Sequence, residues 1–261
     1  MLLDSQTKEE GFALETNRPY PELFREPKRI VVLPMGAVEQ HGPILPIDTD
    51  LRIAALLAEK LEEVLGTHRV LRLPPIPFTL SWEHRGFPGV ISLSVVTLHH
   101  ILDDLMTSLR AWGSYGPSLV VLVSWHGGNQ ALESLAAELG ARHNLPLVVL
   151  PSSKSRRAAY QMAGPQDVHA GSLETSIITA FWPDLLANRT AMLQEDAPPF
   201  QAMDVQTALQ GLGMRRISSS GVWGNAANPS VDAGKAGIQQ LVAQMAAEVR
   251  EMLSFEHRND A

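Results

Sequence analysis

The sequence predicts an α/β fold: a doubly wound, mostly parallel sheet flanked by helices. Three observations predict it. Short β-branched apolar runs alternate with segments of helical periodicity along the first two-thirds of the chain. That alternation makes parallel strands joined by crossover helices. The runs are bounded by Pro and Gly, and their lengths suit strands rather than helices. Two polar, glycine-containing clusters directly follow the two best strand candidates, which is where ligands sit in such sheets.

Met1 to Pro27 mixes polar and apolar residues without a basic start and an apolar run, so it does not read as a secretory signal. Arg29 to Pro34 (RIVVLP) reads as a short buried strand. A loop rich in Gly and Pro follows, then a helix from near Asp50 with Ile53, Leu56, Leu57 and Val64 at helical spacing. Val70 to Phe78 holds strand-like pieces broken by Pro74, Pro75 and Pro77. Leu98, Ile101, Leu102, Leu105, Leu109 and Trp112 mark one face of a helix over Leu98 to Trp112. Leu119 to Val123 (LVVLV) is the second central strand, followed by a helix from about Asn129 to His143 and the strand Leu147 to Leu150. The pattern is weak and loop-rich between about Asn188 and Asn228. Val231 to Leu253 reads as a long amphipathic helix with Ile238, Leu241, Val242, Met245, Val249 and Met252 on one side.

The chain has 261 residues, 45% hydrophobic and 19% charged, which suits a single compact domain over residues 1–261. It has no cysteine, so a metal must be held by His, Asp, Glu or water, favouring zinc, manganese or iron. A net charge of −7 argues against a nucleic-acid surface. The basic cluster Lys154, Arg156, Arg157 reads as a solvated loop. No stretch reaches the roughly 18 apolar residues of a membrane span, so no membrane partner and a cytoplasmic location are expected.

The polar clusters carry the chemistry. Gly36-Ala37-Val38-Glu39-Gln40-His41-Gly42-Pro43 leaves the first strand, and in an extended segment Glu39 and His41 project to one side. Asp50 follows at a helix start. Alone it reads as an N-cap; with Glu39 and His41 it completes a hard-ligand cluster, and its two oxygens suit a bridge between two ions. Ser124-Trp125-His126-Gly127-Gly128-Asn129 turns from the second central strand into a helix. A histidine there is either incidental to the turn or a reactive group. The glycine spacing of a dinucleotide site is absent. His169-Ala170-Gly171-Ser172-Leu173-Glu174 places a histidine on a loop, where it can transfer a proton, and a glutamate at a helix start, where it also suits the helix dipole. In Ser81-Trp82-Glu83-His84, adjacent Glu83 and His84 point apart in an extended chain and read as site-lining residues. His68, His99, His100, His143 and His257 lie on polar faces, near helix ends or in the tail. There is no Gly-x-Ser-x-Gly elbow and no cysteine nucleophile, which leaves metal-activated water for a hydrolase.

Four segments, GAVEQHG with LPIDTD, SWEHRGFPG with ISL, WHGGN, and HAGSLETS, resemble in order those of the creatininase (creatinine amidohydrolase) family. A fifth is Gly221-Val222-Trp223-Gly224 followed by Lys235 and Gly237. The resemblance spans about residues 30–240. It implies a doubly wound, creatininase-like fold, two divalent ions per chain and a homohexamer. By it, Glu39, Asp50 and His126 match the ligands of one metal, and His41 with the bridging Asp50 those of the second. His169 matches the proton-transfer histidine, and Glu174 a glutamate of the same site, as second-metal ligand or its support. Creatininase itself has Tyr and Glu after the strand-end histidine, where Gly127 and Gly128 stand here. Ser124-Trp125 replaces the usual Asn-Gly, and Ser172 stands where an acidic residue is frequent. These departures point away from creatinine and toward the Gly-Gly-type relatives, the mycofactocin-system peptidase-like branch. Glu83, His84, Trp125, Gly127 and Gly128 are then the substrate-facing set. The expected activity is metal-dependent hydrolysis of a C–N bond in a cyclic amide, formamide or short peptide. The alternative is a non-catalytic metal-binding or scaffold protein that retains the fold, motivated by the changes at Ser124, Trp125 and Ser172.

Overall fold

The structure is a computed structural model and describes residues 19–25, 29–66, 70–163, 167–186, 195–196 and 204–259. Most of Met1 to Pro27, much of the first half of Asn188 to Asn228, His68 and the His257 side chain lie outside the described part. In chain order the elements are α1 (Tyr20–Leu23), β1 (Ile30–Met35), α2 (Thr49–Leu65), β2 (Val70–Arg72), α3 (Val95–Arg110), β3 (Leu119–Ser124), α4 (Ala131–His143) and β4 (Leu147–Leu150). Then come α5 (Ser153–Ala163), α6 (Ser172–Phe181), β5 (Glu195–Asp196), α7 (Val205–Gly211), α8 (Met214–Ile217), β6 (Gly224–Asn225) and α9 (Val231–Asn259).

The sheet runs β2-β1-β3-β4, all parallel, with Ile30 opposite both Val70 and Leu119, and Val120 opposite Leu147. Successive strand residues point to opposite faces, and each face has its own core. Ile30, Val32, Val121 and Val123 pack with Ile53 and Leu57 of α2, Ile177 of α6 and Leu241 and Met245 of α9. Val31, Leu33, Val120 and Leu122 pack on the other side with Leu98, Leu102 and Met106 of α3 and Leu132 and Leu139 of α4. Covering on both faces explains why β1 and β3 are apolar at almost every position. The fold is the predicted doubly wound α/β arrangement.

Departures from the sequence reading are local. Val64, assigned to the apolar face of α2, is 47% exposed. Ile101, assigned to the buried face of α3, is exposed, and Met106 takes its place in the core. Helix α3 starts at Val95 because the Ser94 side chain accepts the Thr97 N–H. Lys154, Arg156 and Arg157 are on α5 and not on a loop. Asp50 is not a cap: it is buried in the first turn of α2, with Asp48 at the N-cap position. Among the described residues, no helix is long and apolar enough to cross a membrane.

Candidate metal centre

The centre lies at the carboxyl ends of β1 and β3. Leaving β1, the chain passes close beneath α2: a Cβ at Gly36 would stand 2.3 Å from the Leu51 Cα. This close approach sets the Glu39–His41 segment against the first turn of α2 and brings Asp50 to it. β3 delivers His126. Asp167 accepts the backbone N–H groups of Ser172 and Leu173 at 2.6 and 3.0 Å and so fixes the start of α6. The intervening loop is clamped by paired backbone hydrogen bonds between His169 and Trp223. His169 and Glu174 are thereby aimed at the same point.

Asp50 lies between two imidazoles, with Oδ1 3.3 Å from His41 Nε2 and Oδ2 3.0 Å from His126 Nδ1. Glu39 Oε1 is 3.3 Å from His126 Nδ1. His41 Nε2 is 3.9 Å from Glu174 Oε2. Glu39, Asp50 and His126 form one compact group of possible ligands, and His41, His169 and Glu174 another.

Three of the histidines share one device. His41 Nδ1 meets the Glu39 carbonyl at 3.2 Å, His126 Nε2 the Leu80 carbonyl at 2.5 Å, and His169 Nε2 the Gln40 carbonyl at 2.8 Å. A carbonyl accepts only, so each ring nitrogen there carries a proton, and the other nitrogen faces the cluster. Metal-binding histidines are held this way. His84 differs. Gln40 Oε1 accepts the Gly42 N–H and Gln40 Nε2 donates to the Gly221 carbonyl, which fixes the amide's orientation. That same Nε2 donates to His84 Nδ1 at 2.8 Å. The His84 proton is therefore on Nε2, 3.2 Å from Glu39 Oε1, and this ring supports Glu39 instead of offering a lone pair.

The electrostatics follow from burial. Burial opposes charge on His41, but Asp50 and then Glu174 outweigh it and push this ring up to about 9. His126 is likewise raised against burial by Glu39 and Asp50. Burial pushes Glu39 up to about 7 despite His126. It would also raise Asp50, yet His41 and His126 hold that group far below the carboxylate range. Burial, with the neighbouring His41, depresses His169 to about 3 and keeps it neutral.

These residues fit divalent cations. Both oxygens of Glu39 and Oδ2 of Asp50 are buried without a well-directed hydrogen bond among the described residues, although ring nitrogens stand close. Ligands around a tetrahedral ion at about 2.1 Å lie roughly 3.4 Å apart, close to the 3.0 and 3.3 Å separations in the Glu39–Asp50–His126 group.

The remaining sequence candidates surround this core. Glu83 and His84 sit on a 3-10 turn (Trp82–His84), not an extended segment, so both reach the centre. Glu83 Oε1 is 3.3 Å from His126 Nε2. Gly128 turns toward that carboxylate: a Cβ there would stand 1.9 Å from Glu83 Oε1 and 2.4 Å from the Leu80 carbonyl. Gly127 lines the open cavity, with nothing within 4 Å of an added Cβ. Trp125 is buried; its Nε1 donates to Glu174 Oε1 at 3.0 Å, and its ring stacks on Tyr160. The Tyr160 hydroxyl donates to the same oxygen at 2.9 Å, and Ala170 N–H to Oε2 at 2.7 Å. Gln40, Tyr160 and Asp167 were not singled out from the sequence. A glutamine between Glu39 and His41 was the available signal for the first. A cavity of about 870 Å³ opens over Glu39, Asp50, His126 and His169.

A doubly wound parallel sheet with a built carboxylate–histidine centre at its strand ends defines an α/β protein with a candidate metal centre. A family model described as creatininase, creatinine amidohydrolase, matches residues 16–249, and the chain belongs to that family. By family it is an amidohydrolase, a hydrolase of C–N amide bonds. The mycofactocin precursor peptide peptidase of Mycolicibacterium smegmatis is 30% identical over 226 residues, covering 85% of this chain and 84% of that protein. The creatinine amidohydrolase of Pseudomonas putida is 24% identical, over 85% and 89% of the two chains. A creatininase mutant of the Zn-Zn type superposes with a TM-score of 0.71 at 24% identity, over 85% of this chain and 90% of that one, a likeness of fold.

Proposed function

We propose that this chain hydrolyses an amide bond in a short peptide-like substrate at a centre of two divalent ions per chain. The observation that carries the reading is the shared device of His41, His126 and His169, each with one ring nitrogen on a backbone carbonyl and the other turned to buried carboxylates. Glu39, Asp50 and His126 would hold one zinc, manganese or iron ion, and His41, Asp50 and Glu174 the other. Such ions, when bound, lower the pKa of water towards about 7 and polarise a carbonyl.

The protein's own part is proton handling and placement. His169 is neutral with its proton on Nε2, so Nδ1 is free to take a proton from the attacking water and give it to the departing nitrogen. This role is typically worth roughly 10²–10⁴-fold. The Gln40 carbonyl keeps that tautomer. Trp125 and Tyr160 fix one oxygen of Glu174, leaving the other toward His41. The cavity of about 870 Å³ exceeds what a small cyclic amide requires and suits a peptide. The likeness to a precursor peptide peptidase over most of both chains favours the same substrate class.

A second reading makes His169 a ligand, because its ring shares a compact donor group with His41 and Glu174. Elemental analysis of His169→Ala separates the two. Full metal with lost turnover supports proton transfer, and a lost ion makes it a ligand. Asp50→Ala should lose metal and activity together. A fully active Asp50→Ala protein would sink the scheme, and wild-type protein that takes up no zinc or manganese would leave the scaffold alternative. The chain is further taken as one domain by its length and composition, as cytoplasmic by default, and as a homohexamer by its family likeness, and light scattering checks the assembly.

A further inference from the structure

The cavity over the centre contains a cation with too few partners. Arg156, in the first turn of α5, lines it, with a side chain only 16% exposed. Its Nη1 donates to the His126 carbonyl at 3.4 Å, and Nη2 is 3.7 Å from Glu133 Oε1, a carboxylate 55% exposed to solvent. A guanidinium has five N–H donors, and among the described residues its partners are the His126 carbonyl and the distant, solvent-exposed Glu133 carboxylate, so the fork stays open to the cavity. The acidic groups nearby do not make up the deficit. Asp167 uses both oxygens on the start of α6, and Asp204 uses both on Thr207. A largely buried, weakly paired guanidinium gains from an anionic partner, and its planar fork matches a carboxylate.

We propose that Arg156 is a carboxylate subsite, and that the substrate is an amide bearing a carboxylate beside the scissile bond, as the C-terminal residue of a peptide does. The guanidinium is bonded to the main chain of His126, whose ring faces Glu39 and Asp50, so one residue separates the anion from the reacting centre. The neighbouring acidic side chains oppose a dianion and so favour a singly charged group. This inference deepens the hydrolase reading and rests on it for the position of the scissile bond.

The test uses metal-loaded wild type, Arg156→Met and Arg156→Lys, with metal content measured in each. Three probes are an N-acetyl dipeptide with a free carboxylate, the same peptide as its C-terminal amide, and an amidated peptide ending in aspartate. Calorimetric binding and hydrolysis are read in parallel. The free acid should bind wild type roughly 10- to 100-fold tighter than the amide, as charge-assisted hydrogen bonds do. The ratio should fall to about one in Arg156→Met and be partly kept in Arg156→Lys. Rescue by the aspartyl amide would assign the carboxylate to a side chain rather than a chain terminus. Equal binding of acid and amide by wild type, or a preference that survives in Arg156→Met at full metal content, overturns the proposal. Arg156-dependent binding of the acid with no probe cleaved keeps the subsite and removes the peptide-substrate reading.

Discussion

Asp50 presents one oxygen to His41 and the other to His126, and this pairing governs how the centre meets a cation. In the metal-free protein His41 is pushed up to about 9 and His126 well above its ordinary value, so both rings are protonated at neutral pH. Cation binding requires their lone pairs. Metal uptake near pH 7 should therefore release roughly two to three protons, one from each ring and a fraction from Glu39, which is pushed up to about 7, and affinity should fall as pH falls. Titration calorimetry in two buffers of different ionisation enthalpy measures that number; uptake without proton release would contradict the assignment. Much of this scale was legible, because Glu39, His41, Asp50 and His126 are the residue types a hard cation needs and stand next to predicted strands and a helix. The supporting shell was not. Gln40 looks like filler between two ligands until its amide is seen joined to Gly42, Gly221 and His84, partners up to 181 residues away. Glu83 and His84 were placed near the site, but their convergence depends on a 3-10 turn that short polar sequences do not announce.

At the scale of elements, the strand ends and helix starts do the aiming, and glycines permit the approach. Gly36 lets the segment after β1 lie against the backbone of α2, where an added methyl would stand 2.3 Å from the Leu51 Cα. Gly36→Ala should push the first turn of α2 outward and carry Asp50 with it. The expected cost is about 1–3 kcal/mol of stability from overpacking, with loss of metal content. Gly127→Ala is the matched control, since its methyl meets nothing within 4 Å, and it should keep its metal. Gly128→Ala should behave like Gly36→Ala, because Glu83 and the Leu80 carbonyl occupy its space. Elemental analysis with thermal melts ranks the three, and equal metal content in all of them would refute the argument. Strands β1, β3 and β4 were read from sequence to within a residue, β1 and β3 because they are covered on both faces and hence continuously apolar. Only Val70–Arg72 of the strand-like stretch to Phe78 is β2, and β5 and β6 were not read. Helix α5 was misread as loop because its charged residues, with a Ser and Pro lead-in, carry little apolar periodicity. Its burial of Arg156 comes from tertiary packing over the cavity.

At the scale of the whole molecule, the sheet and its two cores are complete without a cation, but the centre is not. Glu39 and Asp50 are buried at the strand ends, Glu39 is forced up to about 7, and three of their oxygens have no well-directed hydrogen bond among the described residues. Burying carboxylates in this state costs stability that a bound cation restores, and binding to the folded chain alone stabilises it by mass action. A ligand at 100 to 1,000 times its Kd contributes about 2.7–4.1 kcal/mol. For a chain of this size, each kcal/mol moves the melting temperature by roughly 2–4 °C. Chelation should therefore lower the Tm of the wild type by roughly 5–15 °C, and zinc or manganese should restore it. Asp50→Ala should respond far less to either treatment, because the group proposed to be shared between the two ligand sets is gone. The comparison also bears on the scaffold alternative: wild type with a chelator-insensitive Tm, equal to that of Asp50→Ala in added metal, would show that the cluster is carried without being used.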